Sequence, residues 1–170
     1  MVILISSQFH NIVEALIFGH THADMFGLLE RPGTEGDYPT KAVLACPGVT
    51  PYDHTNPAFR IFHYAKDTFK LLDFENFYLD LHYLQTVNKT WTAKSLGHRW
   101  EREYRFTTSY HVANLSDSNL VQVYNRLQQD PILLKQYIHL YYNLAANPVL
   151  PARRFVCAIH NQSEICDTNK

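Results

Sequence analysis

Cysteine is scarce in this 170-residue chain. Cys46, Cys157 and Cys166 are too few for the dense disulfide framework that holds small secreted domains together. No charge of one sign dominates either: 15 Lys and Arg face 16 Asp and Glu, for a formal net charge of −1. A bulk field able to recruit a polyanion is therefore missing, and nucleic-acid binding is not expected. No stretch approaches the roughly 20 consecutive apolar residues of a membrane-spanning helix. The early apolar run Met1 to Ile5 lacks the charged flank, the length and the cleavage site of a signal peptide. Internal repeats, low-complexity tracts and coiled-coil heptads are absent as well. What is present is 46% hydrophobic and 14% aromatic residues, enough to build the core of one compact domain or slightly more.

Compartment is approached through three sequons, at Asn88, Asn114 and Asn161. Each fits the N-glycosylation acceptor, and chance supplies about one such match in a chain of this kind. The expectation is a glycoprotein of the secretory pathway, secreted or lysosomal. An exported chain without an export signal would need residues ahead of Met1.

Along the chain, a short helix from Ser6 to Asn11 is expected to lead into an apolar strand from Val13 to Phe18 that stops at Gly19. Pro32, Gly33, Gly36 and Pro39 mark residues 30–40 as a surface loop. Lys41 to Cys46 reads as a second buried strand, with Cys46 as a buried free thiol. Phe59 to Tyr64 and Phe69 to Leu81, rich in aromatic and β-branched residues, read as a hairpin turning at Lys66-Asp67. After about His82 the pattern becomes helical. Helices are expected over His98 to Tyr110, around Leu120 to Leu127, and from the Asp130-Pro131 cap to Asn147-Pro148. The stripe Leu133, Leu134, Tyr137, Ile138, Tyr141 and Leu144 on the last of these fits a core face better than a cofactor site.

Chemistry concentrates in Leu16-Ile-Phe-Gly-His-Thr-His-Ala-Asp24. An apolar strand ending in glycine puts His20 and His22 at the C-terminal edge of a sheet, where ligands commonly bind. Neutral imidazole is a frequent metal ligand, and a His-x-His pair can serve one ion or two neighbouring ones. Spacing alone leaves open that two of ten histidines merely fall close together. Asp24 either orients an imidazole as a hydrogen-bond acceptor or caps the following turn. His54 reads as a solvated loop residue, and Arg60 as making a structural salt bridge or a backbone contact rather than touching substrate. The histidines at 63, 82, 98, 111, 139 and 160 show no ligand spacing.

Gly19-His20-Thr21-His22 resembles the last motif of the calcineurin-like metallophosphoesterases. Phe18 to Phe26, Thr50-Pro51-Tyr52 and Asn56-Pro57-Ala58-Phe59-Arg60 are similar to acid sphingomyelinase and the acid sphingomyelinase-like phosphodiesterases. The resemblance implies an α+β fold in which residues 1–81 form the C-terminal edge strands of an α/β/β/α metallophosphoesterase sandwich. Residues 82–170 would be its mostly helical C-terminal region. It further implies that His20 and His22 each ligate one of two zinc ions, and that Tyr52 lines the substrate pocket, against the plainer reading of a half-buried loop tyrosine. A disulfide between Cys157 and Cys166 also follows from the resemblance. The expected activity is phosphodiester hydrolysis, on a phospholipid such as sphingomyelin or on a nucleotide. Peripheral membrane contact belongs to that picture, and an obligate protein partner does not. The family's Asp-x-His, Gly-Asp and Gly-Asn-His motifs, which supply the other ligands and the general acid, have no counterpart in residues 1–19. No catalytic residue is therefore expected within the chain, and the chain alone should be inactive. The competing expectation is a non-catalytic secreted binding protein that keeps a relic of the metal motif.

Overall fold

The computed structural model describes residues 9, 12–29, 41–51, 54–87, 92, 99–145 and 159. Six strands and four helices follow one another among them: β1 (Leu16–Phe18), β2 (Met25–Leu29), β3 (Lys41–Ala45), β4 (Ala58–Tyr64), β5 (Leu71–Tyr78), α1 (Leu81–Thr86), β6 (Glu101–Arg105), α2 (Phe106–Tyr110), α3 (Asp117–Gln129) and α4 (Pro131–Tyr141). The fold is α+β, with two three-stranded sheets ordered β1-β3-β2 and β4-β5-β6.

In the first sheet β1 runs parallel to β3, Phe18 opposite Ala45, while β2 runs antiparallel, Met25 opposite the same Ala45. The second sheet is antiparallel throughout. One apolar core joins the two: Phe26, Leu28 and Leu44 from the first sheet, Phe74 and Tyr104 from the second, and Leu120, Val123, Leu127, Leu133, Tyr137 and Leu140 from the last two helices. Aromatic edges carry the contact across. Phe26 meets both Phe106 and Tyr137 edge-on, and Phe106 packs on Phe74 and Tyr110.

Local chemistry explains where the helices begin and end. Asp130 accepts hydrogen bonds from the amides of Ile132 and Leu133, with Pro131 in the first turn, as the sequence predicts. The Asp117 carboxylate at the start of α3 reaches across to the Ala42 amide at 2.9 Å and Lys41 Nζ at 3.0 Å, fastening the helix to β3. α4 stops at Tyr141, short of Asn147, because Asn143 and Leu144 both take positive φ and the buried Asn143 side chain bonds to Asn56 instead of continuing the helix.

Several expectations are corrected. Residues 101–105 form a strand rather than part of a helix. β5 needs a partner on its free edge, and Glu101 to Arg105 pairs with Tyr78 to Glu75. Asp73 then stops the strand by accepting from Arg105 Nε and from the amide and hydroxyl of Thr107, where α2 begins. The segment after residue 82 thus contributes a strand to the second sheet. β2, which the polar residues after Gly19 concealed, is a further strand. The second hairpin arm is confined to Leu71–Tyr78, and Asp80 caps a short helix where the arm was expected to end. β1 covers only Leu16–Phe18 of the expected Val13 to Phe18. The expected helix from Ser6 to Asn11 lies almost wholly outside the described residues.

The β5–β6 pairing contains a bulge: Asn76 faces Tyr104 and Phe77 faces Arg102, so Glu103 is the extra residue. Both its carboxyl oxygens are buried with no hydrogen-bond partner among the described residues. Burial, reinforced by the nearby Asp24 charge, pushes its pKa up to about 9. Asn76 and then the Arg60 charge oppose this rise. Folding at neutral pH therefore takes up a proton, and stability falls as pH rises from about 4.5 to about 9. In denaturant titrations over that interval, Glu103→Gln is expected to lose a slope of at most ~1.4 kcal/mol per pH unit that the parent chain shows. Identical slopes in the two proteins would contradict the assignment.

Candidate functional site

The order β1-β3-β2 forces the chain leaving β1 to cross the end of β3 before it enters β2. Six residues, Gly19 to Asp24, make that crossing over two strand spacings, about 9–10 Å. The arch is tight, and its two histidines carry the bend: His20 has φ 80° and His22 φ 58°. Left-handed backbone costs a residue with a Cβ about 1–2 kcal/mol, and strain of this kind gathers at functional sites.

Hydrogen bonds hold the arch from three sides. Phe18 O accepts from the Cys46 amide at 2.7 Å, His22 O from the Gly48 amide at 3.4 Å, and the Asp24 amide donates to Tyr141 O at the end of α4. His20 is exposed, whereas His22 is half-buried against the segment after β3. Its Nδ1 lies 3.3 Å from Thr50 O. A carbonyl only accepts, so Nδ1 carries the proton and the ring lone pair sits on Nε2. Gly48 lies directly beneath the ring, where an added Cβ would come within 2.6 Å of Nδ1 and 2.7 Å of Cγ.

The two histidines expected to act together thus share one arch. Among the described residues, no group of three His, Cys, Asp or Glu side chains completes a metal site around them. His54, exposed and at φ 65°, belongs to the following loop. Tyr52, Cys157, Cys166, Asn88 and Asn161 lie outside the described residues. Asn114 is half-buried, and its Oδ1 accepts from the Ser116 amide at 3.0 Å and Asn119 Nδ2 at 2.8 Å. Cys46 is a free thiol but only half-buried, with burial raising its pKa.

Asp24 requires a correction. Among the described residues its carboxylate accepts from Arg60 Nη2, Asn76 Nδ2 and the Tyr104 hydroxyl, all in the core between the sheets, and from no imidazole or turn amide. Three donors converge there because β4, β5 and β6 each present one polar side chain toward the arch. Burial raises the Asp24 carboxyl above the usual carboxylate range, with the Arg60 charge and the three hydrogen bonds pulling it back. The same burial, then the Asp24 charge, drives the Tyr104 phenol well up, so Tyr104 acts as donor. Arg60, expected in a salt bridge, has a side chain only 1% exposed. It also donates to Asn76 Oδ1 at 2.8 Å and lies over the Phe74 ring, 3.7 Å from its centroid. Sequence reasoning missed Asn76, Glu103 and Tyr104; the alternation of polar residues with aromatics in β5 and β6 was the available signal.

The known proteins that the chain matches are phosphodiesterases. Acid sphingomyelinase-like phosphodiesterase 3b of Mus musculus is 30% identical over 148 residues, covering 81% of this chain and 30% of that protein. Its Homo sapiens counterpart is 31% identical, over 75% of this chain and 28% of its own length. Sphingomyelin phosphodiesterase B of Dictyostelium discoideum is 27% identical, over 85% and 22% respectively. The profile of the acid sphingomyelin phosphodiesterase C-terminal region matches residues 36–168, and the chain belongs to that family. It spans about 30% of the length of the mouse relative. The profile begins beyond the histidine arch, so the arch rests on its own geometry.

Two substitutions test this geometry. Gly48→Ala should displace the His22 ring and destabilise the fold by about 1–3 kcal/mol, seen as a shifted His22 imidazole resonance and a lower thermal midpoint. Arg60→Met should cost ~3 kcal/mol or more by leaving Asp24 buried without its cation, and adding Asp24→Leu should restore part of the loss in a double-mutant cycle.

Proposed function

We propose that this chain is the C-terminal part of a zinc-dependent phosphodiester hydrolase, in which His20 and His22 each contribute one imidazole to a two-metal centre. The observation that carries the reading is the pair of histidines held at positive φ where β1 and β3 end side by side. The donor chemistry suits zinc: both are imidazoles, and the Thr50 carbonyl fixes the His22 tautomer that leaves the lone pair on Nε2. When bound, a zinc pair polarises the phosphoryl oxygens and lowers the pKa of a bound water.

The residues of this chain do the positioning. Gly48 and Thr50 fix the His22 ring, the arch carries both imidazoles across the end of β3, and the network beneath it holds the second sheet against that base. In the same reading the two sheets are the C-terminal edge of a metallophosphoesterase sandwich, Tyr52 lines the substrate pocket, and Cys157 and Cys166 form a disulfide. The glycans at Asn88, Asn114 and Asn161 fit a secreted or lysosomal location. The substrate is a phosphodiester, of a phospholipid or of a nucleotide. The remaining metal ligands and the general acid come from residues N-terminal to this segment.

Zinc titration followed by histidine ring NMR should move the His20 and His22 resonances, leave those of His63, His82, His111 and His139 in place, and lose the effect in His20→Ala/His22→Ala. The 170-residue chain should not hydrolyse a chromogenic phosphodiester with added zinc. Unmoved His20 and His22 signals, or zinc-dependent turnover by the short chain, would refute the reading.

A further inference from the structure

The β4–β5 hairpin ends in a tip built against the usual rules of a turn. Every residue from Tyr64 to Lys70 except Ala65 is exposed. Tyr64 is 59% and Phe69 71% accessible, and their rings stack with centroids 6.2 Å apart and planes 11° from parallel. Phe69 sits at φ 57°, a conformation suited to glycine or asparagine and strained for an aromatic residue. The turn itself does not require the ring. It closes through the Phe69 amide on Ala65 O at 2.8 Å and the Ala65 amide on Lys70 O at 2.9 Å, bonds that any residue at 69 could make. Lys66 and Lys70 are exposed in the same tip, with Asp67 its one acid.

We propose that this tip is a membrane-docking element: Tyr64 and Phe69 enter the boundary between headgroups and acyl chains of a phospholipid bilayer, while Lys66 and Lys70 meet lipid phosphates. Aromatic side chains favour that depth, and lysine stems extend along apolar surface with their ammonium groups in the headgroup layer. The two exposed rings offer on the order of 250 Å², far below the ~800 Å² per partner of a stable protein interface. A bilayer demands no complementary shape. With a net charge of −1 the chain gains little long-range attraction, so ring insertion carries the affinity and the lysines adjust it. The inference is independent of the histidine arch.

The test is co-sedimentation of the full chain with vesicles of phosphatidylcholine, and of phosphatidylcholine with phosphatidylserine, in the presence of a metal chelator so that zinc plays no part. Phe69→Asn should weaken binding to the mixed vesicles by about tenfold or more, with a thermal midpoint equal to or above that of the parent. Phe69→Gly repeats the measurement with a residue that adopts positive φ freely. Lys66→Gln/Lys70→Gln should weaken binding less, and chiefly on vesicles containing phosphatidylserine. The proposal is overturned if the parent binds neither vesicle or if Phe69→Asn and Phe69→Gly bind as well as the parent. It is equally overturned if the parent self-associates without lipid and these variants do not, which would make a second copy the occupant.

Discussion

The ion pair between Asp24 and Arg60 is the constraint on which the rest of the architecture turns. Asp24 is the last residue of the histidine arch and Arg60 belongs to β4 in the other sheet, so the pair joins the two sheets directly beneath the candidate site. Burying both charges carries a desolvation penalty that their attraction only partly offsets. Asn76, Tyr104 and the Phe74 ring supply the remaining interactions. The pair also fixes register. A one-residue slip of β4 would turn Arg60 to the opposite face and bring Phe59 or Ile61 against a buried carboxylate.

From that point the motif residues gain separate physical meanings. Asn56 exchanges hydrogen bonds with Asn143, at 3.0 and 3.1 Å, and accepts from the Leu81 amide, so it ties the end of α4 and the start of α1 to the turn before β4. Pro57 O accepts from the Leu79 amide at the far end of the hairpin. The Asn56 to Arg60 segment, which resembled a family signature, is thus a fastening beneath the site rather than a set of groups that reach a substrate.

How much was legible in the sequence follows from how local each determinant is. The Asp130-Pro131 cap, the aromatic strands of the hairpin and the glycine-histidine arch are written within a few neighbouring residues and could be read directly. β6 could not. Glu101 to Arg105 carries both helical and extended spacing, and only the vacant edge of β5 selects the strand. Asp24 likewise offered two local roles and took a third, because its partners lie on three strands distant in sequence. The early end of α4 depends on Asn143 finding Asn56, again a long-range event. Residues whose role is set by a remote partner were those that sequence reasoning misplaced.

The bond from the Asp24 amide to Tyr141 O has a kinetic meaning. It closes a loop that encloses most of the chain, and the bond from the Asn56 amide to Tyr142 O closes one of about half of it. Contacts of such sequence separation bear a large closure entropy and form late. Closure of the arch onto α4 is therefore expected late in folding. A nascent chain emerging from synthesis would carry both histidines long before it could hold them in place, and the ability to present two imidazoles together would mark a chain that had finished folding.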